Sequence, residues 1–193
     1  MAAPRDPEAT KARIFDAATA EFAAHGIAGA RMDRIAREAK ANKQLIYAYF
    51  GNKAELFSQV LEKRLTQLAV DVPVDAQDLD GWLDRLMDYH QANPELIRLL
   101  YWEGLEYGNG AFPREETRRE HYDRKVEAFA EAQRQGAISS DIPAADLLFM
   151  LIALVSWPSV QPHMRRLLTG DGEQDRERLR SSIRTAAHRM TRR

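Results

Sequence analysis

Apolar side chains recur at intervals of three and four residues along nearly the whole chain, and no long stretch alternates between apolar and polar positions. This spacing is the period of an α-helix that buries one face, whereas a half-buried strand alternates every second residue. The sequence therefore predicts an all-α protein of about nine helices.

The N-terminal quarter of the pattern predicts three helices and the start of a longer fourth. Gly26 is a left-handed stop for the first helix, and Asn42 and Asn52 are good caps for the third and fourth. The predicted ranges are 7–25, 31–39, 43–49 and 52–69. Two short helices across a tight turn, braced by a longer helix, have the dimensions of a helix-turn-helix whose second helix enters the major groove of DNA.

Five more helices are predicted after the break at Pro73. Their apolar stripes fall at residues 79–86, 94–100, 114–135, 143–157 and 179–190. The eighth helix, which Pro143 opens and Trp157-Pro158 ends, is apolar on all sides. It must therefore be covered on more than one face.

The composition excludes several classes of protein. The sequence has no cysteine, so disulfides, thiol catalysis and cysteine-bound metals are ruled out, which fits a reducing cytoplasm. The longest apolar run, Leu147 to Val155, is too short to cross a bilayer, and we expect a soluble protein with no membrane partner. No catalytic or metal-binding motif is found. We therefore expect neither an enzyme nor a bound metal or cofactor.

The net charge of −1 hides a local concentration of cations. Residues 31–53 carry six lysines and arginines against two acids, while residues 71–88 are acidic. A basic tip on an acidic body is typical of a DNA-binding protein, although a solvated helix surface gives the same pattern.

Three segments are specific enough to indicate a family. Gly26–Ile27, Met32–Ala39 and Leu45–Leu56 closely resemble the N-terminal region of TetR/AcrR-family transcriptional regulators. The resemblance covers about residues 8–60. It implies a DNA-binding domain at 1–51 and a helical effector-binding and dimerisation domain at 52–193, in a homodimeric repressor that a small-molecule effector releases from a palindromic DNA operator.

Roles in DNA binding follow from the resemblance. It implies that Lys43, Gln44 and Ala48 face base edges, and that Tyr47 and Lys53 contact phosphates. The chemistry is suitable, because lysine can donate to guanine, glutamine can pair with adenine, and alanine leaves room for a thymine methyl. The alternative is that Tyr47 belongs to the core and that the two lysines are solvated surface.

Two residues depart from the family pattern. Lys40 stands where glycine is usual in the turn, so a left-handed backbone there would cost about 1–2 kcal/mol, or the turn would be distorted. Arg31 replaces a capping serine or threonine and adds a cation near phosphate. These departures motivate an alternative function, a helical small-molecule-binding protein with weak or lost DNA binding, which a gel shift would distinguish.

The larger domain is expected to hold an effector pocket and a dimer interface. Its aromatic and soft apolar side chains predict a pocket lined by Trp82, Leu86, Tyr89, His90, Trp102, Glu103, Phe129, Phe149 and Met150. The last two long helices predict an interface of Leu151, Leu154, Val155, Leu179, Ile183, Ala186 and Met190. The alternative is that each of these residues belongs to a monomeric core.

Glu103 lies toward the apolar side of its helix, and a buried carboxylate requires a partner. Arg98 or Arg124 could pair with it, or a cationic or hydroxylated effector could do so. The sequence alone leaves both possibilities open.

Overall fold

The computed structural model describes residues 6–192, which form ten helices and no strand. The bounds are α1 Pro7–Gly29, α2 Met32–Glu38, α3 Lys43–Phe50, α4 Lys53–Asp71, α5 Leu79–Ala92, α6 Pro94–Tyr107, α7 Glu115–Arg134, α8 Ala144–Val160, α9 Pro162–Thr169 and α10 Glu173–Thr191. The predicted all-α class is confirmed. The described range holds one helix more than the nine predicted, because α9 was missed.

The helices form two compact units. The N-terminal unit comprises residues 6–67 and 95–115, and the C-terminal unit comprises residues 68–94 and 116–192. The unit that contains the helix-turn-helix therefore also holds most of α4 and nearly all of α6. The functional division between residues 51 and 52 remains a prediction.

In the N-terminal unit, α1 bends sharply at Gly26, whose φ of 69° and ψ of −178° are open to glycine and strained for other residues. A Cβ atom at this position would lie 2.8 Å from ring atoms of Trp102. The predicted left-handed break is thus present, although one further turn continues to Gly29. Two donors of α6 anchor it beside the bend, since Arg98 Nε and Trp102 Nε1 both donate to Ala23 O, at 2.5 and 3.2 Å.

The C-terminal unit packs α5, α8 and α10 against one another. Trp82 of α5 meets Phe129 of α7 edge to face, with ring centroids 5.5 Å apart. Charged side chains one turn apart join α5 to α10, because Asp84 accepts from Arg184 at 2.9 Å and from Arg180 at 3.3 Å. Asp84 thus joins α5 to two successive turns of α10.

The end of α8 differs from the prediction. The helix continues through Trp157 and Pro158 to Val160, because a proline in the last turn removes only one backbone hydrogen bond. Pro162 then opens α9 at its first position. Among residues 6–192 no single helix is long and apolar enough to cross a membrane; α8 and α9 reach that length only together, and they are bent by 89°.

Candidate nucleic-acid interface

The recognition-helix candidate, α3, is fixed at its start and along its inner face. Asn42 Oδ1 accepts a hydrogen bond from Gln44 N at 2.8 Å, which confirms the predicted cap. Ile46 and Phe50 are buried, and the Phe50 ring meets Phe15 of α1 at 5.0 Å between centroids. The cap and the buried face therefore hold α3 in one orientation against α1.

The outer face of α3 carries the predicted DNA contacts. Gln44, Tyr47 and Ala48 are exposed, and 43% of Tyr47 is accessible. Tyr47 is thus not a core residue, whereas Phe50 is. Lys43 Nζ lies 2.9 Å from Asp33 Oδ1 of α2, and this hydrogen bond raises the pKa of the lysine. The face therefore offers one cation, one amide and one phenol beside a small residue.

The turn between α2 and α3 keeps its tight geometry without glycine. Lys40 has a φ of 50°, its N–H donates to Arg37 O at 3.1 Å, and Ala41 N donates to Ala36 O at 2.9 Å. This pair of bonds is the Schellman motif, in which the left-handed position is usually glycine. The turn is therefore strained but not distorted. Lys40 thus no longer supports the alternative of weak or lost DNA binding.

Glu21 of α1 holds the start of α2, where Arg31 supplies no side-chain cap. Arg31 makes no side-chain cap bond, but its backbone N–H donates to Glu21 Oε1 at 2.7 Å, and Arg34 Nε donates to the same oxygen at 2.8 Å. Burial alone would raise the pKa of Glu21, but the bonds from Arg34 and Arg31 N–H lower it. The charged carboxylate thus ties the start of α2 to α1, and the Arg31 residue is exposed.

Lys53, a predicted phosphate contact, already has protein partners. Its Nζ donates to Ala28 O at 3.1 Å and to Ala30 O at 3.3 Å, which joins the start of α4 to the α1–α2 connection. An ammonium has three donors, so one is left for a phosphate.

Comparison with known proteins decides which family this geometry belongs to. Residues 14–60 match the family model for bacterial regulatory proteins of the tetR family, and residues 78–189 match the model for the tetracyclin repressor-like C-terminal domain. The chain belongs to the TetR family. The predicted resemblance is confirmed, and it extends well beyond residues 8–60.

Relatives of this TetR-family chain include named regulators. It is 61% identical over 188 residues to the HTH-type transcriptional repressor SCO4008 of Streptomyces coelicolor. The aligned residues cover 97% of this chain and 98% of the relative. It is 33% identical over 106 residues to the repressor NicS of Pseudomonas putida, about half of each chain. The crystal structure of transcriptional regulator SCO4942 from Streptomyces coelicolor matches 94% of this chain and 98% of its own, with a TM-score of 0.77 and 32% identity.

The function follows at the level that the family fixes. This TetR-family protein is a DNA-binding transcriptional regulator with a helix-turn-helix. Its relatives are named as regulators rather than as enzymes.

The nine predicted pocket residues of this TetR-family chain do not line one cavity. Trp102 and Glu103 belong to the N-terminal unit, where the Trp102 indole lies against Gly26. Trp82, Leu86 and Phe129 are buried in the core of the C-terminal unit. The prediction of a single nine-residue lining is therefore corrected, because aromatic residues on a helical stripe fill the core as readily as they line a cavity.

Two more predicted pocket residues are at the surface. Phe149 is 75% accessible and Met150 is exposed as well, so neither lines an interior cavity. Tyr89 is half-buried. His90 alone among the nine lies on the wall of a cavity of about 380 Å³ in the C-terminal unit, as far as the described residues show.

Three residues of the predicted dimer interface are buried in their own unit, and the other four remain a prediction. Leu151, Val155 and Ile183 are buried in the core of their own unit, and Leu154, Leu179, Ala186 and Met190 are half-buried. The exposed large apolar residues on α8 are Phe149, Met150 and Trp157. The pattern did not separate these two faces because α8 is apolar on all sides.

Some residues that shape the site carried no sequence signal. Glu21 acts on residues 10 and 13 positions away, and Trp102 acts on a glycine 76 positions away. Helical periodicity reports only neighbours three and four residues apart. A left-handed glycine together with a distant aromatic is not a recognisable spacing.

Proposed function

We propose that this regulator is a homodimeric repressor that binds a palindromic operator through two copies of α3 and is released by a small-molecule effector. The observation that supports this most directly is the exposed face of α3, with Lys43, Gln44, Tyr47 and Ala48 on a helix whose opposite side is buried. One such helix reads few base pairs, so two copies a helical turn apart are needed for useful affinity. The name of the relative SCO4008 as a repressor favours repression over activation.

In this proposal the face divides into two kinds of contact. Lys43 and Gln44, at the N-terminal end of α3, read base edges, and Ala48 permits close approach. Tyr47, Lys53 and Arg31 lie around them and contact phosphates, which set the register without reading sequence. Lys43 exchanges Asp33 for a base when DNA binds, at little cost because both side chains are exposed.

Fluorescence anisotropy with labelled DNA from the protein's own promoter region tests the proposal over a series of salt concentrations. The variant Tyr47→Ala/Lys53→Gln is expected to weaken binding to operator and unrelated DNA alike. The slope of log K against log salt should flatten by about one, because Lys53 carries the only charge that the variant removes. Glutamine at position 53 keeps a neutral donor near Ala28 O and Ala30 O, so the slope reports the removed charge.

Gln44→Ala provides the complementary measurement. It is expected to weaken operator binding by about 1–3 kcal/mol while leaving the salt slope and the affinity for unrelated DNA unchanged. Arg166→Gln, an exposed arginine on α9, is the charge control. A salt slope that is the same in wild type and Tyr47→Ala/Lys53→Gln would reject the phosphate assignment, and tight operator binding by Gln44→Ala would reject base reading.

The homodimer is proposed to form through the exposed side of α8. Phe149 and Trp157 are 75% and 48% accessible and lie two turns apart on one face, with Ala153 between them. A solvent-exposed apolar face of this kind indicates a partner, and the two-fold operator requires a second copy. Light scattering should find a dimer for wild type and a monomer for Phe149→Glu, while Leu105→Glu, equally exposed on α6, stays dimeric. A dimeric Phe149→Glu variant would contradict this face.

Effector release is proposed for the C-terminal segment, as in the family that the chain belongs to. A coupling free energy of about 1–3 kcal/mol between effector and operator would reduce DNA affinity about 5- to 150-fold. The measurement is operator affinity with and without a candidate effector. An effector that binds tightly but leaves operator affinity unchanged is not the inducer.

A further inference from the structure

The cavity of about 380 Å³ in the C-terminal unit lies among α5, α8, α9, α10 and the first residue of α6, Pro94. Its floor includes the buried side chains of Val155 and Ile183 together with His90. Its volume falls in the lower part of the range for small-molecule sites. The cavity is therefore large enough for a short-chain organic molecule and too small for a large polycyclic one.

The charged residues on its wall are all arginines. Arg165 projects from α9, and Arg176 and Arg180 lie one turn apart on α10. Among the described residues that line the cavity, none is an aspartate or a glutamate. A small molecule that enters thus meets guanidinium groups but no carboxylate on the wall.

Acidic residues outside the wall hold these arginines in place. Asp171 Oδ1 accepts from Arg165 at 2.6 Å and also lies 3.4 Å from Arg176. One carboxylate is therefore shared by two guanidinium groups. Arg180 is held separately, by Asp88 at 2.5 Å and Asp84 at 3.3 Å.

Arg176 has hydrogen-bonding capacity to spare. Within residues 6–192 its Nη1 donates to the backbone O and to Oδ1 of Asp171, and its Nη2 and Nε make no hydrogen bond. A guanidinium has five donors, and paired donors on two of its nitrogens match the two oxygens of a carboxylate. Arg176 is half-exposed, so these unused donors are at the mouth of the cavity.

The rest of the wall is uncharged and mostly apolar, with Gln91 and Ser159 as its polar side chains besides His90. Met87, Leu179 and three prolines line it between the arginine mouth and the floor. His90 adds no charge at the floor near neutral pH, because burial lowers its pKa to about 4. The cavity thus carries its charge on the arginines, and the remainder of its lining is neutral and mostly apolar.

We propose that this cavity binds an amphipathic carboxylate, with the carboxylate on Arg176 and Arg165 and the hydrocarbon part against Val155, Leu179 and Ile183. Asp171 brings one negative charge to two arginines, and the bound carboxylate brings the second. The hydrocarbon part is removed from water at the floor, and this burial favours binding.

The regulatory meaning of this site rests on the proposed effector release, but binding itself does not. Operator affinity and anion binding are measured separately. A protein that binds the anion and does not bind promoter DNA would refute the proposed repressor and support this site. A protein that binds its operator and fails to bind the anion would refute this site and leave the proposed repressor intact.

Isothermal titration of the full-length protein with three probes of equal chain length tests the proposal: octanoate, octan-1-ol and octyltrimethylammonium. Octanoate is expected to bind at least about 10-fold more tightly than the alcohol, because a charged hydrogen bond is added. Arg176→Gln should weaken octanoate about 10-fold or more and leave the alcohol unchanged. Arg178→Gln is the matched control, since this arginine lies on the same helix and does not line the cavity.

A second variant tests the space inside the cavity without changing the arginines. Leu179→Trp fills the space and is expected to weaken both octanoate and octanol at least about 10-fold, with folding checked by circular dichroism. Three results would overturn the proposal. They are tighter binding of octyltrimethylammonium than of octanoate, equal losses of affinity in Arg176→Gln and Arg178→Gln, and unchanged octanoate binding in a folded Leu179→Trp variant.

Discussion

Replacing Gly26 with alanine perturbs the bend in α1 in two separable ways. The backbone there, at φ 69° and ψ −178°, lies in a region that costs a non-glycine residue about 1–3 kcal/mol. The new Cβ would also lie 2.8 Å from two atoms of the Trp102 ring, and such overpacking costs about 1–3 kcal/mol. Gly26→Ala is therefore expected to lower the free energy of unfolding by about 2–6 kcal/mol.

A double-mutant cycle with Trp102→Ala divides this loss of stability into its parts. In Gly26→Ala/Trp102→Ala the backbone strain remains but the clash is gone, so the combined loss should be smaller than the sum of the single losses by about 1–3 kcal/mol. Gly29→Ala is the control. Gly29 has no positive φ, and an added Cβ would meet only His25 Cβ at 3.4 Å.

Urea unfolding followed by far-ultraviolet circular dichroism measures all four variants. Gly29→Ala should be neutral or more stable by up to about 1 kcal/mol, because alanine favours helix over glycine. Gly26→Ala that unfolds like Gly29→Ala would refute the left-handed backbone at position 26. Strictly additive losses in the cycle would refute the contact between Trp102 and the bend.

Three further changes are predicted. Lys40→Gly should raise the free energy of unfolding by about 0.5–1 kcal/mol, since relief of a strained left-handed residue exceeds the entropy that glycine loses on folding. A lower free energy of unfolding for this variant in urea would contradict this. Burial lowers the pKa of His90 to about 4 in the folded chain, below its unfolded value of about 6.5. As the pH falls from about 6.5, the unfolded chain takes up this proton first. The free energy of unfolding should therefore decrease by about 3 kcal/mol by pH 4. The unfolding free energy of His90→Gln should change less over this interval, and an unchanged pH profile would argue against a buried neutral imidazole. Asp84→Asn should lower the free energy of unfolding by about 0.5–1 kcal/mol, more than Asp88→Asn, and the difference should shrink in about 0.5 M salt. Equal losses would show that Asp84 does not join α5 to α10.

The helix-turn-helix could be predicted closely because its signals are local. Capping by Asn42 and Asn52, the break at Gly26 and the apolar spacing of α3 all act within one or two turns, and each was found where expected. The left-handed Lys40 was also expected from the turn alone, although the intact Schellman bonds were not.

The pocket and the dimer face could not be predicted in the same way. An aromatic residue on an apolar stripe faces inward whether it fills the core, as Trp82 does, or lines a cavity, as His90 does. The helix α8 offers apolar residues in every direction, so its spacing contains no information on which side its own unit covers. The arginine-lined cavity joins residues from five helices, and no local pattern could have placed them together.

The sequence by itself determined the helical class and the helix-turn-helix, because periodicity, caps and turn residues act over a few positions, and the family resemblance pointed to the outer face of α3. Tertiary structure alone decided that Trp102 packs on the bend at Gly26, that Glu21 completes the start of α2, and that Phe149 faces outward. These outcomes depend on which helix faces meet in space. That choice is made by the fit of side chains far apart in the chain.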